Sequence, residues 1–287
     1  MSAGFVQRRV ARLDDPPVEY GMGPKHRVRQ LVRPGDWAAT DPFLALMEDW
    51  FARGTFGPHP HRGIETVSYV IEGQVEHRDS RGHSSTIRAG DAQWMTAGRG
   101  LLHSEEAPDG VEVHSLQLWV NLPAAEKMVE PRYQELISAT LPVRREAGVE
   151  IVVFSGASGE VVSTTTNVVP VVMLRIALER GADVRQELPG DYNAFVVILD
   201  GAASIGPDRS SPAVRSGQIA WLTRADQDRR SEVAITATDD SPVTALLFAG
   251  RPVNQPVVAH GPFVMNSEAQ IREAYADFKE GRLGELT

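Results

Sequence analysis

Tyr69-Val-Ile-Glu-Gly73, followed by Gly90-Asp-Ala-Gln-Trp-Met-Thr96, returns later in the chain as Val197-Ile-Leu-Asp-Gly201 followed by Gly217-Gln-Ile-Ala-Trp-Leu-Thr223. In each copy a β-branched run ends at an acidic residue and a glycine. A second glycine then opens a short segment centred on tryptophan. The two pairs of glycines, 73 with 201 and 90 with 217, are offset almost equally. Matched units at a near-constant offset mark a duplication, so the chain reads as one β domain present twice.

The segments around these units are strands. Thr66-Val-Ser-Tyr-Val-Ile71 is β-branched and aromatic, Gln74-Val-Glu-His-Arg78 alternates, and Asp79-Ser-Arg-Gly82 and Ala89-Gly-Asp91 supply turns. Val111–Val120 alternates too, but its apolar phase slips between Val113 and Leu116, which predicts a bulge or an edge crossing. Short strands at regular spacing predict an all-β fold, a β-sandwich or barrel in each copy. Helices are few. Ala124–Glu130, between Pro123 and Pro131, must be short. At the C-terminus, Ser267 and Gln270 form a capping box. Ile271, Ala274, Tyr275 and Phe278 make one apolar stripe, and Gly281 stands where a helix-terminating glycine belongs. That stripe predicts a helix packed on a barrel, with about 3–5 kcal/mol resting on Phe278. The expected organisation is an N-terminal domain at 1–136, a linker at 137–166 containing the loop-like Ser155–Gly159 and Thr164–Thr166, and a C-terminal domain at 167–287 that includes the helix.

Composition narrows the chemistry. The 287 residues include no cysteine, which excludes disulfides, thiolate nucleophiles and thiolate metal sites. A net charge of −9 argues against direct nucleic-acid binding held by phosphate contacts. The first twelve residues lack the apolar core of a signal peptide, and the longest apolar stretch, Val168–Leu178, is broken by Pro170 and Arg175. No membrane association is expected, and the expected location is the cytoplasm.

Three of the eight histidines fall in two compact units, Pro58-His-Pro-His-Arg-Gly-Ile-Glu65 and Gly98-Arg-Gly-Leu-Leu-His-Ser-Glu105. Residues two apart on a strand share a face. His59, His61 and Glu65 can therefore point into one interior, and so can His103 and Glu105. Imidazoles and a carboxylate without sulfur suit Fe(II), Mn(II), Ni(II), Cu(II) or Zn(II), and spacing separates neither these ions nor Glu65 from Glu105. His26, His77, His83, His114 and His260 read as ordinary residues, His77 on a charged strand face, with His114 the one that could line a pocket. Trp50, Phe51, Phe56, Trp94 and Met95 flank the ligand segments and could wall a pocket for a flat substrate, or be barrel core.

Gly54, His59-x-His61-x-x-x-Glu65 and Gly73 resemble the first cupin motif, and Gly90 through Gly98-x-Gly100-x-x-His103 the second. More narrowly, the run from His59 to Ser80, Gly90–Gly100, Leu116–Leu122, Glu126–Pro131 and Asn254–Asn266 resemble the pirin family over nearly the whole chain. The resemblance implies a bicupin, two tandem jelly-roll-like β-barrels, with one metal in the N-terminal barrel, typically iron. His59, His61, His103 and Glu105 would be its ligands, and Glu65 at most would support them. The second repeat lacks the imidazoles: Glu187 and Pro189 fall near the positions of His59 and His61, and Arg230 and Ser231 near that of His103. A divalent ion with three neutral imidazoles and one carboxylate carries a formal single positive charge, which favours an anionic ligand such as an enolate. The resemblance further implies activity like quercetin 2,3-dioxygenase, with a flavonol and O₂ as substrates and Glu105 as catalytic base. Its alternative is a metal- or redox-dependent regulator, a transcription co-regulator or partner of a metabolic enzyme, without turnover. A monomer is expected.

Overall fold

The computed structural model describes residues 4–208, 211–227 and 229–286. Strands dominate, and the chain divides into two compact units, each a pair of β-sheets. The first unit holds residues 17–138 together with 253–287. Its seven-stranded sheet runs in the order Arg132–Leu136, Ala92–Thr96, Ile64–Glu72, Val113–Asn121, Phe43–Phe51, His26–Val32, Val18–Tyr20. Its four-stranded sheet runs Phe56–His61, Leu101–Glu106, Gln74–Asp79, Ser84–Arg88. Phe51, Val70 and Val113 of the larger sheet pack with Val75 and Ile87 of the smaller one in a single apolar cluster, so the two sheets close on each other.

The second unit holds residues 1–16 and 139–252. Its seven-stranded sheet repeats the plan of the first: Val10–Asp14, Ile219–Leu222, Asn193–Asp200, Val243–Gly250, Val171–Leu178, Val149–Ser155, Val143–Glu146. The duplicated sequence units occupy matching places. Gly73 and Gly201 have φ of 82° and 77°, Gly90 and Gly217 of 89° and 84°. Trp94 and Trp221 are both buried. The expected bulge is present, as a register shift between His114 and Ser115 against Ile64–Glu72.

The termini depart from the expected division. Val10–Asp14 stands beside the tryptophan strand of the second unit, where Arg132–Leu136 stands in the first. The C-terminal helix belongs to the first unit. Nor is 137–166 a linker. Val149–Ser155 pairs with Val171–Leu178, and Ala157–Ser158 with Val161–Val162 in a tight hairpin. Of the loop-like small residues, Ser155, Ala157 and Ser158 lie in strands, Gly159 in the hairpin turn, and Thr164–Thr166 are irregular.

The helix itself spans Glu268–Lys279, with the Ser267 side chain accepting from the Gln270 backbone N–H. It ends in a Schellman motif, in which Gly281 N–H reaches the Phe278 carbonyl (3.1 Å) and Arg282 N–H the Asp277 carbonyl (2.9 Å). Ile271 and Ala274 are buried, but Phe278 stays 37% exposed, so the large packing contribution expected of Phe278 falls to the first two. Ala124–Glu126 forms only a 3₁₀ turn, and an unforeseen single-turn helix covers Trp37–Thr40.

Lys127 ties three parts of the first unit together. Its ammonium is buried and donates to the carbonyls of Gly63 (2.8 Å) and Val264 (3.0 Å) and to Asn121 Oδ1 (2.8 Å). Burial pushes its pKa down to about 7, against the pull of Asp41. The unfolded chain therefore binds more protons than the folded one between about 7 and the ordinary value of 10.5, and stability rises with pH across that window. Lys127→Met is expected to cost about 3 kcal/mol by orphaning buried acceptors, and to flatten the rise. Urea midpoints of both proteins at pH 7 and pH 9 read this. The gap between them should widen at pH 9, and a constant gap would remove Lys127 as its source.

Candidate metal centre

Three neighbouring strands of the four-stranded sheet carry the site. His59 and His61 alternate on Phe56–His61, and His103 and Glu105 lie on Leu101–Glu106, with His103 paired directly opposite His59. The three rings converge, with centroids 5.0 Å apart for His59–His61, 4.3 Å for His59–His103 and 4.9 Å for His61–His103. One nitrogen from each lies within 4.8 Å of the other two. His59 Nδ1 donates to the Gly57 carbonyl at 2.8 Å, which leaves the lone pair on Nε2.

His61 and His103 are buried, and their ring nitrogens complete no hydrogen bond. The Pro262 carbonyl approaches the His61 ring without closing one. Burial, reinforced by His59, holds the pKa of both well below the ordinary histidine value, so both are neutral near pH 7 and their lone pairs are free. Buried polar atoms without partners are costly. Converging neutral imidazoles pay that cost in many proteins by coordinating a metal, and this trio, without thiolates, fits a first-row divalent ion.

Glu105 is held in one orientation. Its Oε1 accepts from Ser68 Oγ (2.6 Å) and Gln93 Nε2 (2.5 Å), and its Oε2 from Gln117 Nε2 (2.5 Å). Both amides are themselves oriented: the Tyr133 hydroxyl donates to Gln93 Oε1 (2.7 Å), and the Trp119 indole donates to Gln117 Oε1 (3.0 Å). All five supports come from the larger sheet, across the barrel interior. Glu105 groups with His103 and with a fourth imidazole, His77, rather than with all three of the first trio.

His77 is what the sequence reading missed. It is fully buried, its ring nitrogens complete no hydrogen bond, and it stacks on Tyr133 at 4.4 Å. Its strand alternates Val75, His77 and Asp79 inward, and that parity was the available signal. Trp119 was missed as well; its ring meets His61 edge to face at 5.1 Å.

Glu65 does not join the cluster. The chain turns at Arg62-Gly63 and enters the other sheet, where Glu65 accepts from Thr96 Oγ1 at 2.7 Å. The alternation linking it to His59 and His61 holds only within one strand. Of the expected pocket walls, Phe51, Trp94 and Met95 are buried core, Phe56 packs on Phe51, and Trp50 stacks on His114, which bonds Glu48. In the second unit the corresponding strands place Pro189 opposite Arg230 and Leu188 opposite Ser231. There the buried Arg8 guanidinium donates to Ser231 Oγ and to the carbonyls of Pro189, Gly190 and Tyr192. No imidazole takes part.

Two tandem β-barrels, one with a convergent histidine cluster that could hold a metal, define a bicupin. Residues 29–120 match the Pirin family and 173–284 the Pirin C-terminal cupin domain. Pirin of Rattus norvegicus is 40% identical over 268 residues, covering 93% of this chain and 90% of its own. Pirin-1 of Arabidopsis thaliana is 39% identical, covering 90% and 88%. The chain belongs to the pirin family. Among solved structures, GK1651 of Geobacillus kaustophilus superposes with a TM-score of 0.85 at 49% identity, over 88% of this chain and 100% of its own. A quercetin 2,3-dioxygenase of Acinetobacter baumannii superposes with a TM-score of 0.83 at 30% identity, over 98% and 100%.

Proposed function

We propose that the protein is a metal-dependent dioxygenase that opens the ring of a flavonol with O₂, with His59, His61, His103 and Glu105 as ligands of one ion, iron by family resemblance. The observation that carries this is Glu105: a buried carboxylate, held as an acceptor by three donors, beside a converging set of imidazoles. The 30% identity to a quercetin 2,3-dioxygenase over nearly the whole chain supports the reaction class. When bound, a divalent ion supplies Lewis-acid polarisation of a substrate oxygen and a site for O₂ chemistry. The three donors leave Glu105 one open lone pair, on Oε2, so holding the ion and accepting the proton of the flavonol 3-hydroxyl would be alternating roles of that one atom. Ser68, Gln93 and Gln117 keep that carboxylate aimed. The Trp119 ring excludes water on the His61 side of the cluster.

The test is flavonol-dependent O₂ uptake by protein as purified, after chelation, and after an ion is restored. Activity that disappears and returns with the ion is expected. Absence of turnover across several flavonols in metal-loaded protein would overturn the reading and favour the regulatory one, in which the ion serves a protein partner's recognition.

A further inference from the structure

The strand that carries His59 and His61 runs directly into the C-terminal segment of the chain. Arg62, the residue after His61, bridges in parallel to Phe263, and Val264 N–H donates to the Arg62 carbonyl at 3.1 Å. The Arg62 side chain is buried. Its Nε donates to the Arg99 carbonyl (2.6 Å), on the loop leading to His103, and its terminal nitrogen pairs with Asp277 Oδ2 on the C-terminal helix (2.7 Å). Asp277 is gripped from its other side by Arg282 Nε at 2.6 Å. Pro262 presents its carbonyl to the His61 ring. Gly63 has φ of 80°, and a Cβ there would lie 2.0 Å from the Val264 carbonyl oxygen, so the turn and the segment are built for contact. The other ligand strand is braced similarly. Ser80 Oγ accepts from the N–H of Leu102, next to His103, and donates to the Leu283 carbonyl.

We propose that the C-terminal segment, through the Arg62–Asp277 ion pair, is the brace that orients the imidazole cluster, and that Arg62 and Asp277 are positioning residues for the metal. This rests on the metal reading above. A guanidinium shared between Arg99 and Asp277 fixes the spacing between the two ligand-bearing turns, and the Pro262 carbonyl stands beside the His61 ring. Groups that orient a ligating histidine typically change metal affinity by about 10–100-fold when removed.

The experiment titrates the metal-free full-length protein with Co(II) against a chromophoric chelator and follows the visible Co(II) spectrum, beside urea midpoints of the same samples. Asp277→Asn, near-isosteric, should weaken Co(II) binding about tenfold or more and alter the spectrum. Asp277→Glu, which keeps the charge, should recover most of the loss. Glu273→Gln, on the same helix but with an exposed side chain, should leave affinity unchanged. Wild-type affinity and spectrum in Asp277→Asn would overturn the brace, as would an equal loss in Glu273→Gln. Failure of the unmodified protein to bind Co(II) would instead overturn the metal reading on which the brace depends.

Discussion

Glu105→Gln should keep a substantial share of bound metal and lose flavonol oxygenation by about 10²–10⁴, the usual consequence of removing a general base. The amide keeps one oxygen able to reach an ion, and three imidazoles remain, so the site is weakened without being dismantled. The proton of the 3-hydroxyl then has no acceptor. The surroundings sharpen the effect. Tyr133 and Trp119 lock the Gln93 and Gln117 side chains with their NH₂ groups toward residue 105, so a glutamine there sets its own NH₂ against a donor. The measurement is O₂ uptake and loss of flavonol absorbance, normalised to metal content. Wild-type turnover per ion would reject Glu105 as the base and turn attention to its buried neighbour His77. Glu65 is the weaker alternative, because it is bonded to Thr96 on the opposite sheet.

His103→Ala should empty the site. His103 belongs to both convergent groups, with His59 and His61 on one side and with His77 and Glu105 on the other. No substitution at another single histidine touches both. Elemental analysis should find about one ion per chain in the unmodified protein and only traces in the variant. Stability provides a second readout. A ligand at 100 times its dissociation constant adds about 2.7 kcal/mol to the folded state, so saturating metal should raise the unfolding midpoint of the unmodified protein and leave that of His103→Ala where it was. The metal-free variant should lose less than an ordinary core truncation, since the removed ring left two buried nitrogens without hydrogen bonds. Full occupancy in His103→Ala would break the assignment of His103 as a ligand.

Much of the candidate site follows from alternation alone. His59 with His61, and His103 with Glu105, are two apart, and each pair lies on one strand. The same rule misleads at Glu65, because it holds only while the strand continues, and Arg62-Gly63 turns the chain into the other sheet. His77 was missed for a different reason. Hydrophobic patterning marks an inward face only when the interior is apolar, and here the inward face passes from Val75 in the apolar cluster to the polar His77 and Asp79, while Gln74, Glu76 and Arg78 line the other side. A strand with polar residues on both faces reads as a charged surface.

By itself the sequence determined the duplication, the β class, the turn glycines, the capped C-terminal helix and the two histidine pairs, because each depends on local conformation or on residues a fixed step apart. Tertiary structure alone decided which barrel receives each terminus. Val10–Asp14 fills in the second unit the place that Arg132–Leu136 fills in the first, and the C-terminal helix packs where Asp277 meets Arg62. An amphipathic stripe or an alternating strand states that a partner is required, and it carries no information about which distant surface supplies one. That choice is made by backbone pairing, buried charge and shape complementarity between segments at opposite ends of the chain. The same long-range contacts bring Ser68, Gln93 and Gln117 to Glu105 and the Pro262 carbonyl to His61.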